Sequence, residues 1–120
     1  MVWVVVFHEA FEQDFEILSI AVQDELLANA RRLEAFGPLL KRPHADTLKG
    51  SKHANMKELR FMAGDGVWRV AYAFDRERKG ILLIAGDKSG QSEKRFYRQL
   101  IAKADARFDN YLVNLLKKRG

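Results

Sequence analysis

Residues 57–74 read KELRFMAGDGVWRVAYAF. Two runs of alternating apolar and polar residues flank Gly64-Asp65-Gly66, and Asp-Gly between such runs is a strong hairpin signal. Taking Asp65-Gly66 as a two-residue turn pairs Gly64 with Val67, Met62 with Arg69 and Arg60 with Ala71. Side chains alternate faces along a strand, so one face collects Leu59, Phe61, Trp68, Val70, Tyr72 and Phe74, a surface for helices to cover. The turn alone sets this register, yet it gathers the large apolar residues together. The opposite face holds Arg60, Met62, Arg69 and Ala71, with Glu58 beside them. Arg60 and Arg69 become diagonal neighbours, about 7–8 Å apart along the backbone.

Outward from the hairpin, residues 2–7 (VWVVVF) and 81–86 (ILLIAG) are short apolar runs that predict strands. Residues 9–36 carry helical periodicity broken near Ser19; Val22, Leu26, Ala30 and Leu33 form one stripe, and Gly37-Pro38 ends it. Residues 38–56 form a long connection without a period, containing two of the three histidines. From Ser92, a fair N-cap, to about residue 117 the chain is helical, with Phe96, Leu100, Ala104, Phe108, Leu112 and Leu115 as its stripe. The order β-α-α-β-β-β-α predicts an α+β fold, a mostly antiparallel sheet with the helices packed on one face. The 120 residues predict one domain, 1–120.

The absence of cysteine excludes disulfides, thiolate zinc sites and a Cys nucleophile. No apolar run approaches the roughly 18 residues of a membrane span. The start has no basic region and turns acidic at once, unlike a signal peptide. A cytoplasmic location is expected. Residues 1–40 hold two basic groups against seven acidic, net −5; residues 41–120 hold 19 against nine, net +10. A fold that gathers the second stretch on one face attracts polyanions.

Two readings of Arg60 and Arg69 stand side by side. Both reach solvent, or one pairs with Glu58; alternatively they form a paired phosphate grip, since each guanidinium can hold an anion through two bonds. Tyr97 points about 100° away from the helix stripe and is either a rim aromatic or a base-stacking group. Lys88, in GDKSG at the strand end, can reach over the same face, but the spacing of a nucleotide-triphosphate loop is missing. His8, His44 and His53 are scattered, without HExxH or an Asp/Glu cluster suited to Mg²⁺, so no metal or other cofactor is expected. What remains is a metal-free cationic set: Lys49, Lys52, Lys57, Arg60, Arg69, Lys88 and Lys94. Such a set can align the 2′-OH of RNA on its neighbouring phosphate and stabilise the charge that develops, with His53 or Tyr97 as proton carriers.

ELRF, WRVAYAFD, ILLIAGDKSG and EKRFY, with TLKGS before them, resemble the RelE/ParE toxin superfamily, specifically its HigB-like, phage-derived branch of type II toxin–antitoxin modules. The resemblance implies a RelE-like α+β fold and endoribonuclease activity on mRNA in the ribosomal A site. It also implies a helix-turn-helix, HigA-like antitoxin as partner. It matches Lys49 or Lys57, Arg60, Arg69, Lys88 and Tyr97 to the family's catalytic positions; Arg60, Arg69, Lys88 and Tyr97 are taken as catalytic, and Lys49, Lys52, His53, Lys57 and Lys94, from the cationic set, as RNA-binding. ParE-type relatives share the fold but poison DNA gyrase, and a nucleic-acid-binding domain without catalysis is the other alternative. The ribonuclease reading requires both guanidiniums on one side of the sheet and free of an internal carboxylate.

Overall fold

The computed structural model describes residues 2–119. Strand β1 (Val4–Phe7) leads through His8 into helix α1 (Glu9–Glu16), followed by α2 (Ile20–Phe36) and a 3₁₀ turn (Gly37–Leu39). Then come β2 (Ala45–Thr47), β3 (Lys57–Ala63), β4 (Gly66–Phe74), β5 (Lys79–Asp87) and the long α3 (Glu93–Arg119). The sheet order is β1-β5-β4-β3-β2; β1 lies parallel to β5 and every other pair is antiparallel. Ser19 separates the first two helices as its hydroxyl accepts from the Val22 amide at 3.3 Å. Ser92 does the same for α3, accepting from the Arg95 amide at 3.4 Å. Among the described residues no helix is long and apolar enough to cross a membrane.

Three expectations need correction. The hairpin turns at Gly64-Asp65, so Ala63 pairs with Gly66, Phe61 with Trp68 and Arg60 with Arg69. Gly64 takes φ +57°, the positive φ a type II′ turn needs at its first central position. Gly66 is needed elsewhere: a Cβ there would sit 2.6 Å from the Trp68 indole nitrogen and 2.9 Å from the Asp87 carboxylate. The slip is two residues, so every side chain keeps its face while the partners change. The second correction is β2, which the connection 38–56 conceals. Its three residues gain their extended form by pairing with β3, Ala45 opposite Leu59, rather than from local propensity.

The third concerns the helices, which cover both faces of the sheet. On one side Phe11, Val22, Leu26 and Leu33 of α1 and α2 pack on Leu59, Phe61, Val70, Tyr72 and Leu82. On the other, Phe96, Leu100, Ala104 and Phe108 of α3 pack on Ala71, Ala73, Ile81 and Leu83. Small residues on β4 let α3 approach, and a Cβ on Gly86 would meet the Phe96 ring at 2.8 Å. An irregularity in the β4–β5 pairing opposes Ala71 to Ile84 and Tyr72 to Leu82, leaving Leu83 as the extra residue of a bulge. Leu83 and Ile84 therefore both join the α3 side. Each buried Phe or Leu there contributes about 1.5–3 kcal/mol, which a one-sided sheet would forgo.

Candidate active site

Arg60 and Arg69 stand directly opposite one another across β3 and β4, on the face that α3 partly covers. The strand alternation puts Glu58 on that same face, one step behind Arg60. The first turn of α3 brings Tyr97 above them. Arg60 Nη1 donates to Glu58 Oε2 at 2.7 Å. The Tyr97 hydroxyl donates to Glu58 Oε1 at 2.8 Å and accepts from Arg69 Nε at 3.1 Å. Arg69 Nε lies 3.8 Å from the same carboxylate oxygen, and Arg69 Nη1 donates to the Trp68 carbonyl at 2.9 Å. Lys88 Nζ lies 5.8 Å from the centre of the Tyr97 ring and 3.4 Å from Glu93 Oε1. Lys88 thus flanks the Tyr97 ring, while Arg60, Arg69 and Tyr97 converge on Glu58.

That fifth residue changes the chemistry. Glu58 is 3% exposed and Arg69 6%, so Arg69 is a buried side chain, not the solvent-facing one the hairpin by itself suggests. The requirement of a common side is met; the requirement of freedom from an internal carboxylate is not. A phosphate grip of two free arginines is therefore not what the chain builds. One carboxylate facing two guanidiniums leaves one positive charge in excess, with Arg60, its side chain 20% exposed, as the accessible part; Lys88, 22% exposed, stands beside them paired with Glu93. Burial works against the charge on Arg60, but the Glu58 carboxylate outweighs it and holds the guanidinium above its ordinary pKa. Burial, then the bond to Glu58, pushes the Tyr97 phenol up against the opposing pull of Arg69. Tyr97 is consequently protonated at neutral pH.

The residues assigned to RNA binding divide. Lys57 lies on the α2 face with Leu59 and Phe61, and its Nζ donates to the Pro38 carbonyl at 3.3 Å, so it is not part of this site. Strand parity with Arg60 carried that signal in the sequence. Lys52 is ion-paired with Asp109, and His53 Nε2 sits 2.8 Å from the same carboxylate with its ring edge-on to Phe108. Both brace the connection 48–56 against α3. Lys49 and Lys94 are exposed and line a groove beside Tyr97, joined there by Arg98. Among the described residues no cluster of three His, Asp or Glu side chains could hold a metal ion.

The sequence pattern of phage-derived Gp49-like proteins (DUF891) matches residues 13–109. The chain belongs to that family. This Gp49-like chain is 46% identical over 82 residues to "Putative toxin HigB3" of Mycobacterium tuberculosis, covering 68% of this chain and 69% of that protein. It is 43% identical over 82 residues to "Putative toxin HigB2" of the same organism, a match that spans 68% of this chain but 40% of that protein. In three dimensions it is similar to a free-state variant of the Escherichia coli toxin RelE, with a TM-score of 0.61 and 14% identity, over 86% of this chain and 97% of that one. It is also similar to a chain of the RelE–RelB complex of Pyrococcus horikoshii, with a TM-score of 0.54 and 19% identity, over 76% of this chain and 100% of that one. The chain is thus HigB-like in sequence and RelE-like in fold.

Proposed function

We propose that this chain is the toxin of a type II toxin–antitoxin module. In this reading it is a metal-independent endoribonuclease that cleaves mRNA on the ribosome and is held in check by a helix-turn-helix, HigA-like antitoxin. With Glu58 between them the two arginines are not a free grip, so the reading rests instead on the Tyr97 hydroxyl, held between Glu58 and Arg69, with Arg60 on the same carboxylate and Lys88 beside the Tyr97 ring. The RNA 2′-oxygen attacks the adjacent phosphorus and the bond to the 5′-oxygen breaks, leaving a 2′,3′-cyclic phosphate and a 5′-hydroxyl. Tyr97 receives the 2′ proton at its oxygen and passes its own to Glu58. Arg60 and Lys88, the accessible cations, hold the phosphate oxygens, and Lys88 protonates the departing oxygen. Arg69 is a positioning residue: its Nε–H fixes the Tyr97 oxygen. A ribosome that holds the message in place would supply alignment that so small a surface does not.

Induced expression should arrest growth, stop translation and leave messages cut within codons, with ribosome-bound message cleaved faster than naked RNA. The contact between Glu58 and Arg60 favours a second reading, a non-catalytic ParE-like gyrase inhibitor or nucleic-acid binder, because it withholds a free guanidinium pair. Relaxed supercoiling and DNA damage with intact mRNA would establish the gyrase inhibitor in place of the ribonuclease. Neither mRNA cleavage nor DNA damage would leave the binder.

A further inference from the structure

Beside Tyr97 a groove of about 610 Å³ runs between residues 49–50 and the first three turns of α3. Its floor is apolar: Ile101 and Ala102, with the Gly50 backbone packed so that a Cβ would lie 3.7 Å from Ile101 Cδ1. Its rim carries Lys49, Lys94 and Arg98, all exposed and, among the described residues, held by no ion pair or side-chain hydrogen bond. The two carboxylates that also line it are engaged. Glu93 meets Lys88 at 3.4 Å, and Asp105 accepts from the Ser51 hydroxyl at 2.5 Å and the Lys52 amide at 3.2 Å. Those bonds to Asp105, with His53 against Asp109, pin the connection that forms one wall. The groove is therefore built in advance, apolar below and cationic above.

This combination calls for an occupant both apolar and anionic, and Tyr97, shared with the cluster around Glu58, favours a nucleotide over an acidic peptide. An apolar peptide would use the floor and leave three cations unmatched; a bare phosphate would use the rim and leave the floor wet. A nucleotide of single-stranded RNA matches both, its flat base on the apolar floor and its flanking phosphates on the rim. We propose that the groove is a nucleobase subsite, taking the unpaired base of the nucleotide next to the scissile phosphate. Tyr97 belongs to both the groove and the cluster around Glu58, so a base seated there places its phosphate toward Arg60 and Lys88. This assignment rests on the ribonuclease reading and adds to it a residue set that holds a base.

The test uses two labelled hexamers of 2′-O-methyl RNA, which cannot be cleaved: one with bases and one abasic throughout. Fluorescence anisotropy should show the full chain binding the base-containing hexamer about tenfold more tightly than the abasic one. Ala102→Trp, at an exposed helix position, fills the groove and should erase that difference. Arg98→Ala should weaken both hexamers by a similar factor. Circular dichroism of each variant checks the fold, and cleavage of ribosome-bound message is assayed in parallel. Equal binding of both hexamers by the unmodified chain, or unchanged discrimination in a folded Ala102→Trp variant, would overturn the subsite. If message is still cut in that case, the ribonuclease reading survives; if message is intact and neither hexamer binds, both fall together.

Discussion

On the face covered by α1 and α2, Leu59, Phe61, Val70, Tyr72 and Leu82 meet Phe11, Leu26 and Leu33. On the α3 face the same strands set Glu58, Arg60 and Arg69 next to Ala71 and Ala73, and the helix closes over the apolar half with Phe96 and Leu100 while Tyr97 reaches the polar half. The first face is a core and nothing else. The second combines a core with a charged cluster, and the boundary between them falls at the adjacent residues Phe96 and Tyr97. Alternation along a strand allows this: one hairpin can present an apolar surface to one layer and a chemical surface to the other. The cost is that charges on the second face must be partnered as α3 buries them.

Removing the partner attacks that difference most directly. Glu58→Ala leaves Arg69 buried without a carboxylate and should cost about 3–5 kcal/mol, read from urea unfolding. A loss below about 1 kcal/mol would mean the cluster is wetter and looser than its burial indicates. Next in size is a paired experiment on activity. Arg69→Lys keeps the charge but loses the fork that fixes Tyr97 and bonds the Trp68 carbonyl, and should lower mRNA cleavage about 100-fold. Lys57→Ala, on the opposite face, should leave cleavage unchanged; equal losses in the two would erase the distinction between the faces. Arg69→Ala is the poorer probe, since it also removes a buried charge beside Glu58 and leaves a cavity.

A smaller effect is expected where α3 meets the sheet. Gly86→Ala drives a methyl group against the Phe96 ring and should cost about 1–3 kcal/mol, seen as a lowered melting temperature. The smallest concerns the pinned connection. The hydrogen bond from Lys52, aided by His53, holds the Asp109 carboxyl below its ordinary pKa. A lowered folded pKa contributes stability above the unfolded value, and that contribution disappears as pH falls through the folded one. Acidification below the usual carboxylate value of about 4 should therefore loosen residues 48–56. Amide exchange there, corrected for its intrinsic pH dependence, should quicken, and Asp109→Asn should remove the change.

Some of this was legible before any coordinates. The faces of the hairpin survived a wrong turn because the slip was two residues and parity was untouched. The Ser92 cap and the break between helices near Ser19 are local features and were readable. Which arginine faces which depended on Gly66, a residue that resembles a turn signal but is reserved for close approach to Trp68 and Asp87. β2 was hidden because three residues carry no period. Lys57 lies away from the Glu58 cluster, as its alternation with Arg60 already implied, whereas Lys52 and His53 could be placed only after α3 brought Asp109 to them.

The chain's own residues determined which side chains share a surface, where each helix begins, and that positive charge accumulates after residue 40, because these follow from local periodicity and composition. Only the packing of α3 onto a distant strand pair decided that Glu58 lies between the two arginines with Tyr97 bound to it, since contacts across 28 and 39 residues leave no periodic trace. That packing converted a presumed open cationic patch into a buried, partly neutralised cluster with a groove at its side.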